Sequence, residues 1–192
     1  MSKADALDAV GRLAIAFRQE NITPETAALY AEHLADISAD LLARTVASVI
    51  QTQKFFPAIS ELRERAARIA GLLPPSPAEA LAIVRRADVE HPVCRRDGSY
   101  AYTEHEWEWP KDVDRDALEL VRDTLAKVGD PVGNDGKARF GWETGFSKTY
   151  EADAEAVKSR VLTDIPKALA ARERNLLTSR KLRALADAAA QT

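Results

Sequence analysis

The chain is poor in the residues that small proteins most often use for chemistry. Cys94 is its one cysteine, so no internal disulfide can brace the fold. His33, His91 and His105 are its three histidines. His91 has Glu90 beside it, and His105 has Glu104 and Glu106. Neighbours along one element do not converge on an ion, and Cys94 has no thiol companion, so no metal site is expected. Glycine is scarce too, and the Gly136-Lys137 pair fails as a phosphate loop. Such a loop needs glycine five residues earlier, where Pro131 stands, and a hydroxyl residue after the lysine, where Ala138 stands. No stretch approaches the ~18 consecutive apolar residues of a membrane span. The N-terminal segment has no apolar signal core and carries Asp5 and Asp8. The expectation is a cytoplasmic chain with no membrane association and no cofactor.

What is present is a soluble balance, with 46% apolar and 30% charged residues and a net charge of −3. The charge is uneven. Residues 166–192 hold six bases (Lys167, Arg172, Arg174, Arg180, Lys181, Arg183) against Glu173 and Asp187, whereas the rest holds 21 bases and 28 acids. A basic segment on an acidic body suits an acidic partner or a nucleic-acid backbone, or is simply a solvated helical face.

Apolar spacing predicts a mainly helical, all-α fold. Leu7, Val10, Leu13, Ala14 and Phe17 recur at three- and four-residue intervals. Thr23-Pro24 starts a second helix, running to about Ala35. Ser38 starts a third, with Leu41, Leu42, Thr45, Val46, Val49 and Ile50 as its apolar side. After the break at Pro57, a fourth carries Ile59, Leu62, Ala66 and Ile69 and stops at Gly71. Residues 1–70 thus read as a helical N-terminal domain and the proline-rich 71–76 as a linker. Residues 77–165 read as a second helical region, and 166–192 as a basic helical tail with too thin an apolar face to pack strongly alone.

Ser76-Pro77-Ala78-Glu79 is a capping box that opens a helix to about Ala87. Residues 88–111 change character: Arg96-Asp97-Gly98-Ser99 is turn-forming, and a short hairpin insert fits there. Ala117, Leu118, Val121, Leu125 and Val128 restore the helical period up to Gly129. Trp142, Phe146, Thr149 and Tyr150 share one helical face.

Three constellations bear on function. Cys94 flanked by Arg95 and Arg96, with His105 as base, has the types for a thiol nucleophile, yet a chance pairing is the simpler reading and no catalytic residue is expected. The tryptophans Trp107 and Trp109 are surrounded by Glu104, Glu106 and Glu108, which repel phosphates, so they read as core rather than as a stacking platform for bases. Phe55-Phe56-Pro57 differs. Two adjacent aromatics at a corner cannot both point inward from a regular element. Either one faces a partner together with Tyr30, or both fill a small core.

The order of Tyr30, Leu34 and Asp36 on one helix, the 41–50 helix, and the corner Phe56-Pro57-Ala58-Ile59-Ser60-Glu61-Leu62-Arg63 resembles the N-terminal domain of phage replicative-helicase loader/inhibitor proteins. The likeness covers about residues 5–70. It implies a non-catalytic DNA-replication protein of a bacteriophage, acting in the host cytoplasm. Its partner would be the hexameric replicative helicase, which it restrains and delivers to origin DNA with an origin-binding initiator, making weak or no direct DNA contact itself. It also implies a helical N-terminal domain and a flexible C-terminal part that engages the helicase. The longer C-terminal half and the 88–111 insert depart from compact members of that family. On this basis the partner-binding residues expected are Tyr30, Phe55, Phe56 and Arg63 at the corner, with Arg172, Arg174, Arg180, Lys181 and Arg183 in the tail. Two other readings stay open: a DNA-binding replication or regulatory protein using the basic tail, and a virion assembly adaptor.

Overall fold

Helix start signals in the sequence act where the chain needs them. A computed structural model describes residues 2–19, 22–94, 100–129, 131 and 141–189. Among these, eight helices and one two-stranded hairpin form in the order α1 (Lys3–Ala16), α2 (Pro24–Leu34), α3 (Ala39–Thr52), α4 (Ile59–Ile69), α5 (Pro77–Ala87), β1 (Asp88–Cys94), β2 (Tyr100–Trp107), α6 (Arg115–Val128), α7 (Trp142–Thr163) and α8 (Ile165–Ala189). The fold is therefore all-α apart from the hairpin. Side-chain oxygens of Ser2, Thr23, Ser76 and Asp114 accept from the first free amides of α1, α2, α5 and α6. Ser38 precedes α3 without making such a bond.

The chain divides into two compact units, Met1–Leu73 with Ser159–Thr192, and Pro74–Lys158. The first contains α1 to α4, the end of α7, and α8. Its core joins Val10, Leu13, Leu34, Ile37, Leu42, Val46, Val49 and Leu62 with Ile165 from the start of α8. The inward places expected of Leu7 and Ile50 are corrected here. Leu7 does not face this core, and Ile50 is also exposed; Ala6 takes the inward place on α1, one step round the helix. The first turns of the basic segment pack on the N-terminal helices. Ile165 is wholly buried and Leu169 packs against the same core, as does Leu72 from the expected linker. After Arg172 the contact fades: Leu176 and Leu177 are 46% and 57% exposed.

The second unit packs α5, α6 and the first turns of α7 around Val84, Val121, Leu125 and the column Trp142, Phe146 and Tyr150. Spaced four residues apart on α7, these three rings stack at 5.3 and 5.9 Å between centroids. The Trp142 indole N–H donates to the Gly129 carbonyl (2.7 Å), and the Tyr150 hydroxyl donates to the Pro75 carbonyl (3.0 Å). Burial raises the Tyr150 pKa, with Glu79 adding to the shift. Trp107 and Trp109 stack at 5.6 Å against this core, with the Arg122 guanidinium 4.8 Å over Trp109. The two strands pair antiparallel, Asp88 opposite Trp107 and Cys94 opposite Tyr100. The expected turn at 96–99 and the Gly136-Lys137 pair lie outside the described residues.

Candidate partner surface

Two of the residues expected to meet a partner are consumed by the fold. Proline explains both. Pro166 lacks the N–H that would bond the Leu162 carbonyl in a continuing helix, so α7 ends there with an acceptor open. The Arg63 Nε donates to that carbonyl at 2.9 Å. Its Nη1 donates to the His33 carbonyl near the end of α2 (2.6 Å), and the same fork binds both Asp36 carboxylate oxygens at 2.7 and 2.8 Å. Arg63 thus caps two helix C-termini, where the macrodipole favours a cation, and only 14% of its side chain is exposed. It is a structural clamp within the first unit.

Pro74 leaves the Ala70 carbonyl at the end of α4 open in the same way. The Arg172 guanidinium donates to that carbonyl. Gly71 follows at φ +66°, and a Cβ there would run into the Arg172 guanidinium. Arg172 is therefore a second clamp. Arg174 is exposed, with Nε donating back to the Ala170 carbonyl (3.3 Å). Arg180, Lys181 and Arg183 belong to α8, and their side chains lie outside what the structure describes.

The corner residues divide. The Phe56 ring meets Tyr30 at 5.5 Å and Phe17 at 6.2 Å, both edge-on, and all three rings pack on the first core. The Tyr30 hydroxyl donates to the Pro57 carbonyl at 3.0 Å. Burial raises the Tyr30 pKa, with a smaller push from Glu61. Glu61 holds the amide of Ala58 at 2.7 Å and so fixes the entry to α4. Tyr30 and Phe56 are thus half-buried packing residues. Phe55 alone turns outward, with 82% of its surface in water.

Two further apolar side chains of the first unit are exposed. Ile15, two residues before Phe17, is 81% exposed, and Leu29, beside Tyr30, is half exposed. Sequence reading missed both, because Ile15 and Leu29 fit a helical stripe as well as they fit a surface. It also missed Arg18. The Arg18 amide bonds the Ile15 carbonyl at 3.2 Å and the Gln19 amide bonds the Ala14 carbonyl at 2.9 Å. That pair is the Schellman closure of α1. Its left-handed position normally takes glycine, and here Arg18 occupies it at φ 51°. Arg18 and Lys54 are both exposed and have no ion-pair partner among the described residues.

Cys94 and His105 lie on opposite strands of the hairpin. Cys94 pairs with Tyr100 and His105 with Glu90, four positions along the hairpin, or about 13 Å. Among the described residues no group of three or more His, Cys, Asp or Glu converges to hold a metal ion. No helix among them is long and apolar enough to cross a membrane. A shallow groove of about 340 Å³ runs between α1 and α3, floored by Ala9, Leu42 and Val46. Comparison of the chain with protein-family models, curated proteins and solved structures gives no match.

Proposed function

We propose that this chain is a non-catalytic replication protein of the phage helicase loader/inhibitor type, acting in the cytoplasm by binding a hexameric replicative helicase. The observation that carries the reading is Phe55. A large aromatic side chain 82% exposed next to one that is packed between two rings has no role in the fold that water would not oppose. Aromatic anchors of this kind dominate protein interfaces when they enter a partner's pocket. A protein without a nucleotide site can still control a motor, by binding one conformational state of it more tightly than another. The distal part of α8, with exposed Leu176, Leu177 and Arg174, is a second contact consistent with this role. The residues held in the fold by Arg63 and Arg172 are not part of the proposed surface.

The test separates the two phenylalanines. Phe56→Ala should destabilise the first unit by about 3 kcal/mol, because it empties a packed three-ring contact. Phe55→Ala should leave the urea midpoint unchanged and weaken capture of the cognate hexameric helicase at least about tenfold. Equal capture by wild type and Phe55→Ala would remove Phe55 from the surface.

A further inference from the structure

We infer that this chain pairs with a second copy of itself by exchange, the distal half of α8 of each copy lying in the groove between α1 and α3 of the other. This goes beyond the helicase reading and does not depend on it. The hexamer proposed to meet the same segment would compete with the second copy.

The groove is a trough between two helices of the first unit. Ala4, Asp8 and Arg12 recur a turn apart on its α1 wall, and Ala39, Ala43 and Val46 on its α3 wall. From Ala4 to Arg12 the wall rises about 12 Å, enough for two turns of a third helix. Ala4, Ala39 and Ala43 are exposed although apolar, and their small side chains leave room for the ridge of such a helix.

The rim is acidic. Asp8 and Arg12 form an ion pair at 2.9 Å and cancel, which leaves the Asp5 carboxylate. Residues 1–52, which carry both walls, hold seven acids and four bases. The fitting occupant is a helix with apolar side chains and an excess of bases.

The distal half of α8 has both. This helix runs unbroken for 25 residues, about 37 Å. Ile165, Leu169 and Arg172 fix its first two turns to the first unit. Beyond them Leu176 and Leu177 stand in water, and residues 174–192 hold four bases against Asp187. A helical segment of this length with no packing on its leucines is marginal alone. Its cover is not the groove of its own chain, because a continuous helix held at its start cannot swing back there without breaking. Nor is it a second α8, because two such basic segments side by side repel. The trough of a second copy supplies apolar contact and the opposite charge. Reciprocal exchange fills both grooves and closes the pair about a two-fold axis.

The experiment uses the purified full-length chain alone. Sedimentation equilibrium at low salt and tens of micromolar should give twice the 21.1 kDa of one chain, falling toward one chain at high salt. Ala43→Arg, at an exposed wall position, should weaken pairing at least about tenfold without changing the dichroism. Leu176→Glu combined with Leu177→Glu should do the same, since glutamate is also a strong helix former. A photoreactive phenylalanine in place of Leu177, in a mixture of isotope-labelled and unlabelled chains, locates the contact. Its cross-links should run between copies to residues 4–12 or 39–46 and vanish in Ala43→Arg. A wild-type chain that stays monomeric overturns the proposal. So does a pair that survives either variant, or one whose cross-links run to α8 or elsewhere. Failure of helicase capture leaves each of these results unchanged.

Discussion

Replacing Arg63 by alanine removes more from this fold than its sequence position would suggest. The guanidinium holds both oxygens of Asp36 at 2.7 and 2.8 Å and the carbonyls of His33 and Leu162 at 2.6 and 2.9 Å. The alanine variant leaves a carboxylate and two helix-end carbonyls without that donor. Breaking a fully buried pair costs about 3–5 kcal/mol. The Asp36 side chain keeps 36% of its surface in water, which reduces the loss to about 2–3 kcal/mol. In urea that is a midpoint shift of roughly 1–2 M. The assay can locate the loss. Trp107, Trp109 and Trp142 all belong to the second unit, so tryptophan fluorescence follows that unit while circular dichroism follows all the helices. Arg63→Ala should move the dichroism transition and leave the fluorescence transition in place. Asp36→Asn should cost only about 1 kcal/mol, because the guanidinium keeps both carbonyls. Arg63→Lys should recover little, because an ammonium cannot reach four acceptors in a fixed fork. A shift below about 0.3 M for Arg63→Ala would refute the clamp.

Two further predictions concern the second unit and the C-terminal helix. Tyr150 has a folded pKa raised above its unfolded value, so its contribution is complete below about pH 10 and is lost as pH rises beyond that. Fluorescence-monitored stability should fall in that alkaline window, and Tyr150→Phe should cost about 1 kcal/mol at neutral pH while flattening the alkaline loss. A chain ending at Asn175 keeps Ile165, Leu169 and Arg172 and should unfold within about 0.5 kcal/mol of the full chain. One ending at Asp164 should lose about 3–5 kcal/mol, because an inward isoleucine and a helix cap go with it.

The helices were legible because their signals are local. Capping residues at Thr23 and Ser76, prolines at the first turn, and periodic apolar positions fix starts and faces without knowledge of the fold. The hairpin was legible from the change in pattern after Ala87. The roles of Arg63 and Arg172 were not, because each depends on a carbonyl far away in sequence, opened by Pro166 or Pro74. An exposed-type residue at a corner looks like a contact until the acceptor it serves is placed beside it. The docking of Ile165 was hidden for a related reason. The alanine-rich segment that follows has little apolar moment, and a single inward isoleucine at its start does not stand out as periodicity. Phe55 and Phe56 were legible as a crowded pair, but not whether both pack inward or one turns out, since that depends on the rings of Tyr30 and Phe17.

The most direct test of the proposed role is size-exclusion chromatography of the purified chain with the cognate hexameric helicase, alongside Phe55→Ala. The account predicts co-elution with the hexamer for wild type and loss of co-elution for the variant, whose circular dichroism and urea midpoint stay those of wild type. Separate elution of the wild-type chain at tens of micromolar of each protein would contradict it.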